Sequence, residues 1–247
     1  MSTIRQTATS NGNTHADPTI AAHLIRWTGL AAVGGGIIFV GIQPIHPPDV
    51  VASVTTSTWA IITTLKTAMC LMFLLGIGGI YARQANKAGW LGLAGWFLFS
   101  LSWALQLCFV FAETFILPLL ATTAPQFVDG FLRNIAGGEV TSVDLGALPV
   151  IYGIGVGGLY MLGGVVFGLA TLRAAVLPRW AAGLLAVAAL LTPAAALFPH
   201  NIQRFAAVPV AFALAALGYA LWAERRARTA APVPSPVSPQ LGQTGAK

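Results

Sequence analysis

Six apolar stretches separated by short polar loops dominate the chain. They lie at 24–42, 59–81, 90–117, 149–172, 180–198 and 206–223. Each is close to the ~20 residues that an α-helix needs to cross about 30 Å of hydrocarbon. The pattern therefore predicts an all-α membrane protein with six transmembrane helices.

The odd-numbered stretches begin alike, which suggests a repeated unit. Trp27, Trp90 and Trp180 each stand at the start of one, and Arg83 and Arg173 each precede the next tryptophan by seven residues. Tryptophan and arginine are also the ordinary residues of membrane boundaries, so the residue types alone do not require a repeat. The equal spacing favours three helical hairpins of common design.

Composition leaves room for one membrane domain and little else. Charged residues make up 8% of the 247 residues and hydrophobic residues 56%, with a mean hydropathy of +0.77, whereas a soluble domain carries about 25% charged residues. We expect a disordered cytoplasmic N-terminus at 1–23, a transmembrane domain at 24–225, and a disordered, proline-rich cytoplasmic tail at 226–247.

The basic residues alternate between the two sides of the predicted spans, and this explains the net charge of +6 without a nucleic-acid partner. Arg133 and Arg204 are the basic residues of the outer segments. Ten others fall in the segments assigned to the cytoplasm: Arg5, Arg26, Arg83, Lys87, Arg173, Arg179, Arg225, Arg226, Arg228 and Lys247. The positive-inside rule then places both termini in the cytoplasm.

Glycines are concentrated in the fourth stretch. Gly153, Gly157, Gly164 and Gly168 form two small-xxx-small pairs, a pattern that lets helices in lipid approach closely. Tight packing within the bundle is one interpretation. Contact with other membrane proteins, or with a second copy of the chain through this fourth span, is the other.

The long outer loop contains a predicted amphipathic helix. Phe127, Phe131 and Ile135 recur at helical spacing, and Asp129 and Arg133 form an i, i+4 pair on the other side. Thr123 is the expected N-cap, with Gln126 as its capping-box partner, and Gly137-Gly138 should end the helix. Such a helix either lies in the membrane interface or covers a cavity between spans.

Chemistry, if present, is expected at the outer ends of the spans. The sequence has no phosphate-binding loop, zinc-protease helix, nucleophile elbow or CxxC motif. Lys66 and Glu113 are the ionisable residues within the spans, at similar depth on consecutive spans, so we expect an ion pair that offsets part of their cost in hydrocarbon. Gln106 lies one to two turns from Glu113, and these three residues form the candidate binding site.

A divalent metal site is a further hypothesis. His46, Glu113 and His200 lie 19, 23 and 20 residues after the tryptophan that begins each hairpin, so equivalent hairpins would bring them to similar depths. Two histidines and a carboxylate can form an open metal site. Histidine is also common at the ends of membrane helices, and no cofactor is required by the pattern.

Several short segments resemble small, uncharacterised multi-span integral membrane proteins of bacteria that have six helices and Ala/Gly-rich sequences. These segments are Arg26-Trp27, Ile45-His46-Pro47-Pro48, Tyr81-Ala82-Arg83-Gln84, Phe111-Ala112-Glu113, Asp144-Leu145-Gly146 and Leu177-Pro178-Arg179-Trp180. The resemblance covers the spans and implies a bacterial plasma membrane location with the lipid bilayer as a partner. It implies no activity and no catalytic residue.

Three kinds of function fit these observations. The first is a non-catalytic role in binding or membrane assembly. The second is a small carrier or channel with a polar path at Lys66, Glu113 and Gln106. The third is a membrane-embedded enzyme that uses Glu113 with His46, His200 or Asp144 as acid, base or ligand. The sequence favours the first and does not decide whether the protein is an enzyme.

Overall fold

The computed structural model describes residues 18–138, 143–198 and 203–229, and this part of the chain is helical without any strand. Side chains are described except at 18–22, 196 and 224–229. The α-helices are α1 (Pro18–Ile42), α2 (Ser57–Phe111), α3 (Leu117–Leu120), α4 (Pro125–Ile135), α5 (Leu148–Val150), α6 (Leu159–Ala174), α7 (Arg179–Leu191) and α8 (Val208–Thr229). The predicted all-α class is confirmed for these residues. Of the segments expected to be disordered, 1–23 and 226–247, residues 1–17 and 230–247 lie outside the described residues, whereas α1 begins at Pro18 and α8 extends to Thr229.

Four helical segments are long and apolar enough to cross a membrane. They are His23–Ile45, Ser57–Leu120, Leu148–Ala174 and Arg204–Ala223. A shorter apolar helical segment runs from Arg179 to Ala195. Its α-helical part, α7, ends at Leu191, and a 3-10 helix, Thr192–Leu197, follows with Pro193 in its first turn. Proline lacks the backbone N–H that would continue the α-helix.

The segment Ser57–Leu120 has 64 residues. An unbroken α-helix of this length would measure about 96 Å at 1.5 Å per residue, but the helix is broken within the segment. Gly89 has φ 56° and ψ −152°, a conformation that is essentially restricted to glycine. Ring contacts join the two halves at Tyr81–Trp96, 5.2 Å apart, and at Phe73–Trp103, 4.6 Å apart. The halves therefore run antiparallel, side by side, from a reversal at Gly89.

The long helices pack as one bundle. α1 lies against α2 and α8, α6 lies against α2 and α7, and α7 also contacts α8. Glycines allow the closest approaches: a Cβ at Gly163 would lie 2.4 Å from the backbone nitrogen of Phe99, and one at Gly168 would lie 2.7 Å from that of Ala186. Gly164 likewise faces Ala189. The second glycine pair of the fourth stretch thus packs within the chain.

The predicted loop helix is present as α4, and it lies on the bundle. Phe131 and the neighbouring Val128 and Leu132 are buried in an apolar cluster with Trp59 and Phe109. The Asp129–Arg133 pair forms, at 2.7 Å. Gly137, with φ 74°, ends the helix, and the Gly138 N–H donates to the Arg133 carbonyl at 2.8 Å.

The predicted cap of α4 is wrong. Ala124, not Thr123, occupies the N-cap position, and no side chain caps the helix. Pro125 accounts for the position of the cap, because its fixed φ favours the first helical position, and the alanine before it has no side-chain acceptor.

Candidate functional site

Lys66, in the first half of α2, and Glu113, in the turn directly after α2, form an ion pair at the end of the bundle near α4. Lys66 Nζ contacts Glu113 Oε2, and the side chains are 14% and 1% exposed. The sequence-based expectation that these two residues lie within reach is confirmed. A charge pair this deeply buried offsets part of the cost of removing each group from water.

Glu113 lies in a widened, π-helical turn, Ala112–Ile116. Pro118, four residues beyond Thr114, cannot donate to the carbonyl of Thr114, which favours a local departure from the α-helix. In the same turn, the backbone carbonyl of Glu113 accepts a hydrogen bond from Trp59 Nε1 at 2.9 Å. The turn is thus tied to the start of α2 through both its backbone and its carboxylate.

A cavity of about 570 Å³ lies beside this pair. Lys66, Gln106 and His46 line it, whereas Glu113 is buried and is not part of the lining that the structure describes. The other lining residues include Phe39, Ile42, Gln43, Asp49, Met69, Ser102, Trp103, Asn134, Tyr152, Gly153, Val156, Gly157, Tyr160, Thr192 and Arg204. Residues far apart in sequence therefore form one partly polar chamber of a size that suits a small molecule.

One wall of the cavity is a second π-helical segment, Ile151–Gly158. Ser102 Oγ donates to the Val156 carbonyl at 2.8 Å and holds this segment against α2. Gly153 and Gly157 both line the cavity, and a Cβ built at Gly153 meets no atom within 4 Å. The first glycine pair of the fourth stretch thus leaves space beside the cavity and does not make a close helix contact.

The mouth of the cavity carries a loose charge cluster. Arg204 lies 3.9 Å from an Asp49 carboxylate oxygen and donates to the His46 carbonyl at 3.3 Å. A second opening of about 500 Å³ shares Gln43, His46, Asp49 and Arg204 with the cavity lining. Charged and polar groups are therefore concentrated where the cavity adjoins the second opening.

His46 is held in one orientation and kept neutral. Its Nδ1 lies 2.7 Å from the Pro47 carbonyl; because a carbonyl can only accept, Nδ1 carries the proton. Burial lowers the pKa of His46 to about 4, and the nearby Lys66 and Arg204 act in the same direction, against the opposing effects of Asp49 and the Pro47 carbonyl. Nε2 is therefore the unprotonated nitrogen of this ring at neutral pH.

An aromatic layer forms the floor of the cavity. The Trp103 ring contacts those of Phe73 at 4.6 Å, Phe99 at 6.3 Å and Tyr160 at 6.0 Å. Phe73, Phe99 and Phe167 are fully buried. The lining rings of Trp103 and Tyr160 therefore pack against fully buried aromatic side chains.

Other expected site residues are less well placed. Asp144 is exposed, and its carboxylate accepts from the Gly146 N–H at 2.7 Å. Among the residues that the structure describes, no group of three or more His, Cys, Asp or Glu side chains could hold a metal ion. His200 lies outside those residues, so the metal hypothesis that includes it stays a prediction.

Sequence reasoning missed Asn134, Trp103 and Arg204 as cavity residues. Asn134 had a signal: it follows Phe127 by seven positions and Phe131 by three, so it is a polar residue on the apolar face of α4. Arg204 is one of the two basic residues in the outer segments, and its charge bears on the predicted orientation of the chain in the membrane but does not indicate a site. Trp103 carried no signal beyond its hydrophobicity.

The all-helical fold and the apolar helices of membrane length support a membrane protein. Comparison with protein-family models, curated proteins and solved structures found no match.

Proposed function

We propose that the chain is a six-crossing membrane protein that binds a small, largely apolar molecule in the cavity at the outer end of its bundle. The crossings would be α1, the two halves of α2, the segment from Leu148 to Ala174, the segment from Arg179, and the segment from Arg204. The break at Gly89 and the four membrane-length segments support this count.

The orientation follows from charge. The segments between the proposed crossings put Arg83, Lys87 and Arg173 at the end opposite the cavity, so the positive-inside rule assigns that end to the cytoplasm. The cavity would then face outward from a bacterial plasma membrane. Trp27, Trp90 and Trp180 are 67%, 81% and 59% exposed, as interfacial anchors would be.

The cavity itself is the observation that supports a binding function. Its volume of about 570 Å³, its apolar wall and its few polar groups are typical of small-molecule sites. A carrier or channel would need the polar path to continue inward, whereas Trp103 and the buried Phe73 and Phe99 close it. The arrangement therefore favours binding over conduction.

Retention of a bound molecule tests this proposal. Gly153→Leu should fill the cavity, because a Cβ there meets no atom within 4 Å. Gly41→Leu is the matched control: it lies near the same end, its Cβ also meets nothing within 4 Å, and it does not line the cavity. Native mass spectrometry should detect a bound small molecule on the wild type and on Gly41→Leu, after incubation with a total membrane lipid extract, and not on Gly153→Leu. Equal retention by all three proteins, or none on the wild type, would overturn the proposal.

A further inference from the structure

The charges around the cavity compensate one another. Lys66 contacts Glu113, and Arg204 lies beside Asp49 at 3.9 Å. His46 is neutral at physiological pH, since its pKa is lowered to about 4. Two cations thus face two anions, and a bound molecule with a net charge would find no counter-ion that is not already engaged within the described lining.

Two fully buried side-chain groups of the described lining lack partners, and both are neutral donors. Asn134 Nδ2 and Trp103 Nε1 are buried without a hydrogen-bond partner among the described residues. The two residues are 9% and 4% exposed, and both line the cavity. A buried donor without an acceptor keeps the whole cost of its removal from water. A molecule that brought acceptor oxygens into the cavity would remove this cost.

Much of the remaining wall is apolar or aromatic, with Phe39, Met69, Val156 and the rings of Tyr152 and Tyr160 among its residues. Building on the binding function proposed above, we propose that the occupant is an uncharged amphiphile. Its head carries carbonyl, ester or ether oxygens that accept hydrogen bonds from Asn134 and Trp103, and its apolar body lies along the aromatic wall. A charged head is disfavoured because transferring an uncompensated charge from water into a site lined largely by apolar groups is costly.

Two probes that differ only in head-group charge test this inference. Both carry the same dibrominated stearoyl chain, esterified in one case to glycerol and in the other to glycerol phosphate. Bromine quenches tryptophan fluorescence on contact, and Trp103 lies in the cavity wall. The full-length protein in detergent is titrated with each probe, and Trp103→Phe, which lacks both the reporting ring and one proposed donor, should show no saturable quenching. Binding of the glycerol ester should be saturable, with a half-saturation concentration at least about tenfold below that of the phosphate.

A second variant tests the donor role. Asn134→Leu should weaken binding of the glycerol ester about five- to tenfold, the effect expected from one lost hydrogen bond. Asn86→Leu, at an exposed residue at the other end of the bundle, should bind like the wild type. Thermal unfolding of both variants confirms that they remain folded.

The outcomes separate this inference from the function on which it rests. If the phosphate probe binds as tightly as the glycerol ester, or if Asn134→Leu binds like the wild type, the inference is wrong while a binding cavity remains. If neither probe quenches Trp103 saturably, the inference is also wrong; if, in addition, the wild type retains nothing from a membrane extract, the binding function itself is wrong.

Discussion

Lys66 and Glu113 show how a polar pair can be accommodated in an apolar bundle. Each would be costly alone at this burial, and each is held by the other. Thr67 and Thr114, one position further along each helix, approach to 3.3 Å through their hydroxyl oxygens. The hydrogen bond from Trp59 Nε1 to the Glu113 carbonyl is a third contact between the same two segments. The pair is therefore part of the contact that joins the two halves of α2.

Removing both partners of the ion pair should destabilise the protein less than the sum of the two single changes. We expect Glu113→Gln and Lys66→Met each to lower the free energy of unfolding by up to about 3–5 kcal/mol, because each leaves a buried charge unpaired. The double variant should be milder than the sum by about 0.5–3 kcal/mol. Unfolding in detergent measures all three. Strictly additive losses would contradict an energetic interaction between the two side chains.

His46 should make stability depend on pH. Its pKa is about 4 in the folded protein, against an ordinary value of 6.5. Between these values the unfolded chain binds more protons, so this contribution is fully present above pH 6.5 and is lost as the pH falls towards 4. His46→Gln, which cannot titrate, should show a smaller loss of thermal stability over the same range. Wild type and variant share all other titrating groups, so identical pH profiles would contradict the assignment.

At the scale of elements, the break in α2 depends on one backbone conformation. The sequence from Ser57 to Phe111 is helical on both sides of Gly89, and φ 56° with ψ −152° at that residue reverses the chain. A side chain there would have space, because a Cβ meets no atom within 4 Å. The constraint is therefore the backbone conformation and not packing.

Gly89→Ala should lower the free energy of unfolding by about 1–3 kcal/mol, the usual cost of a residue in a sparsely populated backbone region. Gly78→Ala is the matched control within the same helix: its Cβ also meets nothing within 4 Å, but its φ is not positive. That change should be neutral or stabilising by up to about 1 kcal/mol. Equal effects at the two positions would argue against backbone strain at Gly89. Chemical unfolding in detergent provides the comparison.

At the scale of the whole molecule, the proposed topology makes a direct prediction. Reporter fusions after residues 86, 140 and 176 should read cytoplasmic, external and cytoplasmic, because ten basic residues fall on one side and two on the other. Fusions that respond to both sides, such as paired phosphatase and fluorescent reporters, give a positive signal in each case. A cytoplasmic signal at 140 would reverse the orientation of the cavity.

Local sequence was sufficient for the features that depend on local physics. Apolar length predicted the positions of the four membrane-length segments, whereas the predicted fifth stretch, 180–198, falls in the shorter segment Arg179–Ala195. Helical periodicity located α4, and the Asp129–Arg133 pair followed from its spacing. Lys66 and Glu113 could be paired because a charge in an apolar segment needs a partner at the same depth. The cap at Thr123 failed because Pro125 starts the helix without one.

The cavity required the tertiary structure. Its wall combines Phe39, Trp103, Asn134, Gly153 and Arg204, which belong to different elements. Hydropathy gives the depth of a residue but not the direction in which it faces, and in an apolar helix nearly every face is equally hydrophobic. The π-helical turns and the unpartnered donors arise from how the helices meet. The sequence indicated Lys66, Gln106 and His46 as candidate site residues, but packing between distant segments decided that they share one chamber with Trp103, Asn134 and Arg204.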